Sequence, residues 1–241
     1  MPVSRLDQIL SRYGYCSRSE AAGLVRAGRV TIHGAPAKAR DQKVDVGAVN
    51  VDGKAIECPE GLLALLHKPA GYVCSHDPQD GATIYELLPA QWLRRNPPVT
   101  TIGRLDKDTT GVLLVTDVGA LVQRWTSPKH KVPKIYEVTV DRDLDPALVG
   151  LFAAGTLQLK EEEKPCKPAR LEIVDERRAL LELTEGMYHQ VKRMFASQGW
   201  NVTQLHRSRF GELGLADLKP GEWRLLPFSQ SMDSKTSDDF H

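Results

Sequence analysis

The chain has 241 residues, a formal net charge of +1, 41% hydrophobic residues and 26% charged residues. These totals fit one large or two smaller globular domains and exclude a chain that is polybasic as a whole. No apolar run approaches the roughly 20 residues of a membrane span. "MPVSRLDQIL" lacks the apolar core of a leader. Cys16, Cys58, Cys74 and Cys166 have neither zinc-knuckle nor redox spacing, so reduced thiols and a cytoplasmic location are expected.

Charge placement says more than net charge. Over residues 1–44, eight basic side chains face only Asp7, Glu20 and Asp41, a local excess of +5. Such an excess suits either a polyanionic partner or a solvated basic face. Leu6, Ile9, Leu10 and Tyr13 have helical spacing. Ser17 and Glu20 form a capping-box pattern ahead of the stripe Ala21, Leu24 and Val25, and Gly28 is a natural stop. Val30 and Ile32 read as a short strand, followed by a His33-Gly34 turn. Val44, Val46, Val49 and Val51 suggest further strand, closed by Asp52-Gly53. Arg5, Arg18, Arg26 and Arg29 lie outside the apolar stripes and are expected to form one phosphate-facing surface. "SRLDQILSRYGYCSRSEAAGLVRAGRVTIHG" resembles the S4-like RNA-binding domain, which implies binding to structured RNA and no chemistry.

"ECPEG" at 57–61 reads as a linker to a larger body. Leu62 to Leu66 predict a buried strand, stopped by the Lys68-Pro69-Ala70-Gly71 turn. Val112 to Thr116, 135–140, 169–174 and 179–184 predict further strands, and 83–95, 118–126, 145–154 and 188–198 predict helices. The pattern argues for an α+β fold: a small N-terminal S4-like unit at 1–57, then a body at 62–229 with a large mixed, mainly antiparallel sheet flanked by helices. The polar residues 230–241 are expected to be disordered.

In "GRLDKDTTGVLLVTDVG" a loop bearing Asp106 and Asp108 leads into the most apolar β-branched run of the chain, a good platform for one reactive side chain. In "YHQVKRMFASQG", about 100° per residue places Tyr188, Val191, Lys192 and Phe195 on one arc, with His189, Gln190 and Arg193 elsewhere. Lys192 on an apolar face either snorkels outward or meets a carboxylate, which it would keep ionised. Tyr136 in "KIYEV" is either core packing or a ring for stacking on an extruded base.

Taken together, "LLHKPAGYVCS", "GRLDKDTTGVLLVTDVG", "SPKHKVPKIYEV", "EGMYHQVKRMF" and "QLHRSRFG" resemble, in order, the motifs of the pseudouridine synthases, most nearly the ribosomal small-subunit type. The resemblance implies isomerisation of uridine to pseudouridine in ribosomal RNA by base flipping, with no cofactor and no metal. It implies that Asp106 is the essential carboxylate, which either adds to C1′ of the ribose or removes a proton from C2′. Tyr136 would be the stacking ring and Lys192 the basic partner of the carboxylate. Leu205 would pack on the tyrosine and base, and Arg104 would hold the extruded nucleotide. Lys134 and Arg193 are expected to bind substrate, while Lys129, Lys131, Arg207 and Arg209 extend a phosphate track or are solvated surface charge. The expected partner is ribosomal RNA, with no membrane and a monomeric protein. Other readings are a catalysis-free ribosome-assembly factor, a large-subunit enzyme, and a glycosidase using two carboxylates.

Overall fold

A computed structural model describes residues 3–127 and 129–228. The tail expected at 230–241 lies outside the described residues.

The N-terminal unit runs β1 (Val3–Arg5), α1 (Leu6–Arg12), α2 (Ala21–Arg26), β2 (Val30–Ile32), β3 (Ala35–Pro36), β4 (Lys43–Asp45), β5 (Val49–Val51) and β6 (Lys54–Ala55). The expected helical stripes form its core, with Leu6, Leu10, Ala21, Val30 and Val49 fully buried. The Ser17–Glu20 pattern closes as a reciprocal pair: Ser17 N–H donates to Glu20 Oε2 at 2.8 Å, and Glu20 N–H to Ser17 Oγ at 3.3 Å. His33-Gly34 and Asp52-Gly53 turn the two hairpins β2–β3 and β5–β6, with φ of 49° and 80° in the first and 51° and 78° in the second. Positive φ at both central residues is the tight-hairpin geometry these residue types favour.

The body adds β7 (Leu63–Lys68), α3 (Ala90–Leu93), β8 (Thr100–Ile102), β9 (Thr110–Thr116), α4 (Gly119–Thr126), β10 (Lys134–Val140), α5 (Ala147–Ala153), β11 (Arg170–Ile173), β12 (Arg178–Leu183), α6 (Gln190–Ser197), β13 (Val202–Phe210), β14 (Leu213–Gly214) and β15 (Trp223–Leu225). One sheet runs β11-β12-β10-β13-β9-β7-β15, with β8 added on β9 and β14 on β13. β13 pairs with β9 in parallel and the other named pairs are antiparallel, which gives the expected mixed sheet. β7 and β9 are buried on both faces. Ala64, Leu66, Leu113 and Val115 pack with Ile84 and Trp92, while Leu63, Leu65, Val112 and Leu114 pack with Leu121 and Trp125. The β10–β12 half has its own core with α5 and α6, around Phe152 and Phe195. Tyr136 packs against this core and against the Ile84–Trp92 core, so it stands at the seam of the two halves.

Two expected elements differ. The helix at 83–95 is a 3₁₀ turn, Ile84–Leu87, and the short α3, separated by Pro89. Proline removes a backbone donor and biases the preceding residue out of the helical region. The helix at 188–198 starts two residues later, because His189 takes φ of 47° ahead of Gln190.

The segment expected as a linker is clamped. The guanidinium of Arg95, 3% exposed, donates to Asp117 Oδ2 at 2.7 Å and to the carbonyls of Glu57 and Cys58 at 3.1 Å each. It lies 4.9 Å from the centroid of the Tyr13 ring. The second carboxylate oxygen of Asp117 accepts from Leu62 N–H at 2.7 Å, and Trp92 Nε1–H donates to Glu57 Oε2 at 2.6 Å. Gly14 seals the junction: a Cβ there would stand 2.1 Å from the Gln91 carbonyl oxygen. Arg95→Leu would strand the Asp117 carboxylate, and removing one partner of a buried pair costs about 3–5 kcal/mol. Urea unfolding of this variant is expected to show a loss of that size, and a loss under about 1 kcal/mol would mean that the clamp carries little stability.

Candidate active site

Side chains from the β8–β9 loop, from strands β10 and β13, and from the turn entering α6 line one cleft of about 500 Å³. The loop is anchored from within. Lys68 ends β7 on the same face as Ala64 and Leu66 and is fully buried. Its ammonium donates to the carbonyls of Pro69 (3.1 Å), Lys107 (3.3 Å) and Thr109 (2.8 Å), the last two just after Asp106 in the loop. Burial pushes the Lys68 pKa below the ordinary lysine value, against the pull of nearby acidic groups. Leu105, 6% exposed, plugs into the Ile84–Trp92 core, while the Asp106 side chain stays 24% exposed at the cleft.

Gly111, with φ of 115°, lets β9 close on β13. A Cβ there would lie 2.2 Å from the Arg207 carbonyl oxygen and 2.7 Å from its nitrogen. On β13, Leu205 is 8% exposed and faces the cleft. On β10, the register against β13 slips between Ile135 and Tyr136, which pair with Arg209 and Arg207. The extra residue, Ser208, makes a bulge of the kind that re-aims a neighbouring side chain, and Tyr136 beside it lines the cleft.

Lys192 sits in the first turn of α6, held by the buried Val191, Met194 and Phe195. Its ammonium lies 3.2 Å from Asp106 Oδ2 and 2.6 Å from Asp108 Oδ1. Burial pulls the Lys192 pKa down, but the hydrogen bonds to Asp108 and Asp106 outweigh it and leave the ammonium above its usual value. The hydrogen bond from Lys192 holds the Asp108 carboxyl below its usual range. Sequence reasoning placed Lys192 beside a carboxylate but did not anticipate that Asp108 shares it.

The same reasoning missed His189. Its Nε2 lies 3.3 Å from Asp106 Oδ1 and its ring stacks on Tyr188 at 3.8 Å. The helical arc was drawn two residues too early. Tyr188 is 67% exposed rather than on the apolar face, and Gln190 is buried at 4%. The overlooked signal is the Met187–Gln190 spacing. Gln190 Oε1 accepts from Met187 N–H at 2.9 Å and its amide donates to Glu185 Oε1 at 2.7 Å, a capping tie that sets the start of the helix.

The remaining expected residues divide. Lys134 lines the cleft, its pKa pushed down to about 8 by burial and then by the neighbouring Arg207 charge. Arg104 lines it as an exposed residue. Arg207 also lines the cleft and is not solvated surface charge: it is 2% exposed and its Nε–H donates to the Val112 carbonyl at 2.8 Å. Arg193 is not part of the cleft wall. Its guanidinium is taken up by Glu162 at 2.6 Å, by the Tyr188 carbonyl at 3.0 Å and by the Lys160 carbonyl. Glu162 is the nearest carboxylate and captures it. The four N-terminal arginines also lie outside the cleft wall. Arg5 is bidentate on the buried Asp7 at 3.0 and 3.1 Å, and Arg18 approaches Asp7 at 3.6 Å. Arg29 is bidentate on Asp52 at 2.6 and 2.8 Å, and Arg26 Nε–H reaches the Ala22 carbonyl at 3.4 Å.

Residues 63–197 match the family described as RNA pseudouridylate synthase, and residues 4–50 match the S4 domain. A ribosomal small subunit pseudouridine synthase A from Vibrio parahaemolyticus is 41% identical, over 92% of this chain and 95% of its own length. The enzyme of that name from Escherichia coli K12 is 40% identical, over 92% of this chain and 96% of its own length. A crystal structure of a pseudouridylate synthase superimposes with a TM-score of 0.67 at 36% identity, covering 96% of this chain and 99% of that one. With the Asp106–Lys192 cleft seated in the matched region, the chain belongs to the RNA pseudouridylate synthase family.

Proposed function

We propose that the protein converts one uridine of small-subunit ribosomal RNA to pseudouridine, with Asp106 as the essential carboxylate. The observation that carries this reading is the Lys192 ammonium 3.2 Å from the Oδ2 of Asp106, a carboxylate on the wall of a cleft that Tyr136 and Leu205 also line, with Lys192 itself behind that wall. A 500 Å³ cleft is of the size that takes one small ligand, here a nucleotide swung out of its duplex at a cost of a few kcal/mol. The bond from C1′ of the ribose to N1 breaks, the uracil turns, a bond from C1′ to C5 forms, and the C5 proton is replaced by one on N1. The atoms balance without a co-reactant. Asp106 acts on the ribose, at C1′ as a nucleophile or at C2′ as a base. Lys192 aims it and supplies the counter-charge, Tyr136 stacks on the uracil, and Leu205 packs beneath both. Arg104 and Lys134 take phosphate or base oxygens at the rim.

On this reading residues 1–57 are an S4-like RNA-binding unit and 62–229 the catalytic unit. Arg5, Arg18, Arg26 and Arg29 contact RNA by exchanging their present carboxylate and carbonyl partners for phosphates. This reading places the protein in the cytoplasm, where its RNA is made.

Mapping pseudouridines in ribosomal RNA from cells with and without the gene should show one small-subunit site that disappears. Loss of a large-subunit site, or of none, overturns the assignment. Asp106→Asn is expected to lower turnover at least about a thousandfold while RNA affinity changes less than about threefold. Loss of binding together with turnover would make Asp106 structural instead. Lys192→Met should lower kcat far more than Arg193→Met, since Arg193 is engaged with Glu162 away from the cleft; the reverse order contradicts the assigned roles. Lys134 offers a pH test. Its ammonium is present below a pKa of about 8 and lost above it, so RNA affinity should fall as pH rises from 7 to 9. Lys134→Met should flatten that dependence, and an unchanged slope would remove Lys134 from the RNA contacts.

A further inference from the structure

Tyr188 is the largest aromatic side chain left open at the cleft, 67% exposed although it belongs to the wall. Its ring is not loose. One face stacks on His189, with centroids 3.8 Å apart and planes 20° apart. His189 is in turn tied to Asp106 Oδ1 at 3.3 Å. The backbone beneath is held by Arg193, whose guanidinium bridges the Tyr188 carbonyl at 3.0 Å and Glu162 at 2.6 Å. The left-handed φ of 47° at His189 brings the two rings side by side, in a conformation that a non-glycine residue adopts at some energetic cost. The result is a preformed two-ring stack with its outer face uncovered.

The chemistry of base extrusion supplies an occupant for that face. When a nucleotide leaves its stack, its neighbour loses a stacking partner, and unstacked RNA bases are commonly received on aromatic rings. Tyr136 already stands within the wall, at the seam of the two cores, where the extruded uracil would lie. Tyr188 is one ring layer farther out than the group that touches Asp106, at the reach of the next nucleotide. We propose that the outer face of Tyr188, backed by His189, is the stacking platform for the base adjacent to the extruded uridine. This rests on the isomerase reading above. A protein stack would then replace the base stack that extrusion breaks, and the contact would tolerate any base, since every base presents a π-face.

The test uses the full-length protein and a ribosomal RNA fragment containing the mapped site, intact or with an abasic residue 5′ or 3′ of the target. Tyr188→Ala is expected to raise KM about tenfold with kcat nearly unchanged, the size of loss seen when a stacking ring is truncated. Tyr188→Phe, which keeps the ring, should stay within about twofold of the native enzyme. On the RNA with the correct neighbour made abasic, the native enzyme should lose about the same factor and Tyr188→Ala nothing further, because ring and base act as a pair. Equal KM values for Tyr188→Ala and native enzyme overturn the proposal. So does a Tyr188→Phe defect as large as that of alanine, or an alanine defect that persists in full on both abasic RNAs. Failure of the native enzyme to convert the intact RNA would instead overturn the isomerase reading itself.

Discussion

A fully buried ammonium, that of Lys68, fixes the loop on which the site depends. Desolvating a lysine costs several kcal/mol unless its protons are satisfied, and Lys68 spends them on three backbone carbonyls. Two of those carbonyls, of Lys107 and Thr109, belong to the β8–β9 loop, so the most economical way to bury this charge is to fold the loop around it. Gly71 N–H adds a backbone bond to the same Lys107 carbonyl at 2.8 Å. Asp106 is presented between these ties on its C-terminal side and Leu105, plugged into the core, on the other. The placement of the Asp106 carboxylate is thus a consequence of core packing.

Magnitudes also separate the roles of the two acidic clusters. The Arg95–Asp117 pair is 0% and 6% exposed and joins both units, so it bears on stability. The Lys192–Asp106 pair is 27% and 24% exposed, and pairs so open to water contribute at most about 1 kcal/mol to folding. Stability therefore does not account for the convergence of His189 and Lys192 on one carboxylate and of Asp108 on the same ammonium. Positioning does: Asp106 is held by a group on each of its oxygens, both from the segment entering α6. That segment belongs to the β10–β12 half of the body, whereas the Asp106 loop belongs to the β7–β9 half, so the ion pair spans the seam at which Tyr136 stands.

The parts legible in the sequence were those governed by local rules. Thr110–Thr116 and Lys134–Val140 announced themselves by β-branched runs, and the His33-Gly34 and Asp52-Gly53 hairpins by turn chemistry. The loop ahead of a buried strand was legible as a platform for Asp106 or Asp108, and only the family motifs singled out Asp106. What escaped depended on tertiary competition. Arg193 looked as available as any surface arginine until Glu162, 31 residues away in sequence, captured it. Lys68 read as part of a turn, although the alternation Ala64, Leu66, Lys68 points it into the core. His189 was missed because helical phase was extrapolated through a residue that is not helical.

The clamp around Arg95 bears on how an RNA-binding unit could assist a reaction on the neighbouring unit. A flexibly tethered S4-like unit would raise the local concentration of RNA but could not drive base extrusion with a directed force. Here Tyr13, Glu57 and Cys58 are gripped by one buried guanidinium, and Gly14 abuts the Gln91 carbonyl too closely for any larger residue. The N-terminal arginines thereby hold a set position relative to the body that carries the cleft. On the proposed reading, phosphates bound on that surface constrain the duplex, and the energy of those contacts can offset an extrusion that costs a few kcal/mol. Their present carboxylate partners set a threshold for this. Asp7 and Asp52 satisfy Arg5 and Arg29 in the free protein, so a single phosphate gains little by displacing them. An RNA surface that engages several arginines at once gains much more, which favours structured RNA over scattered single strands.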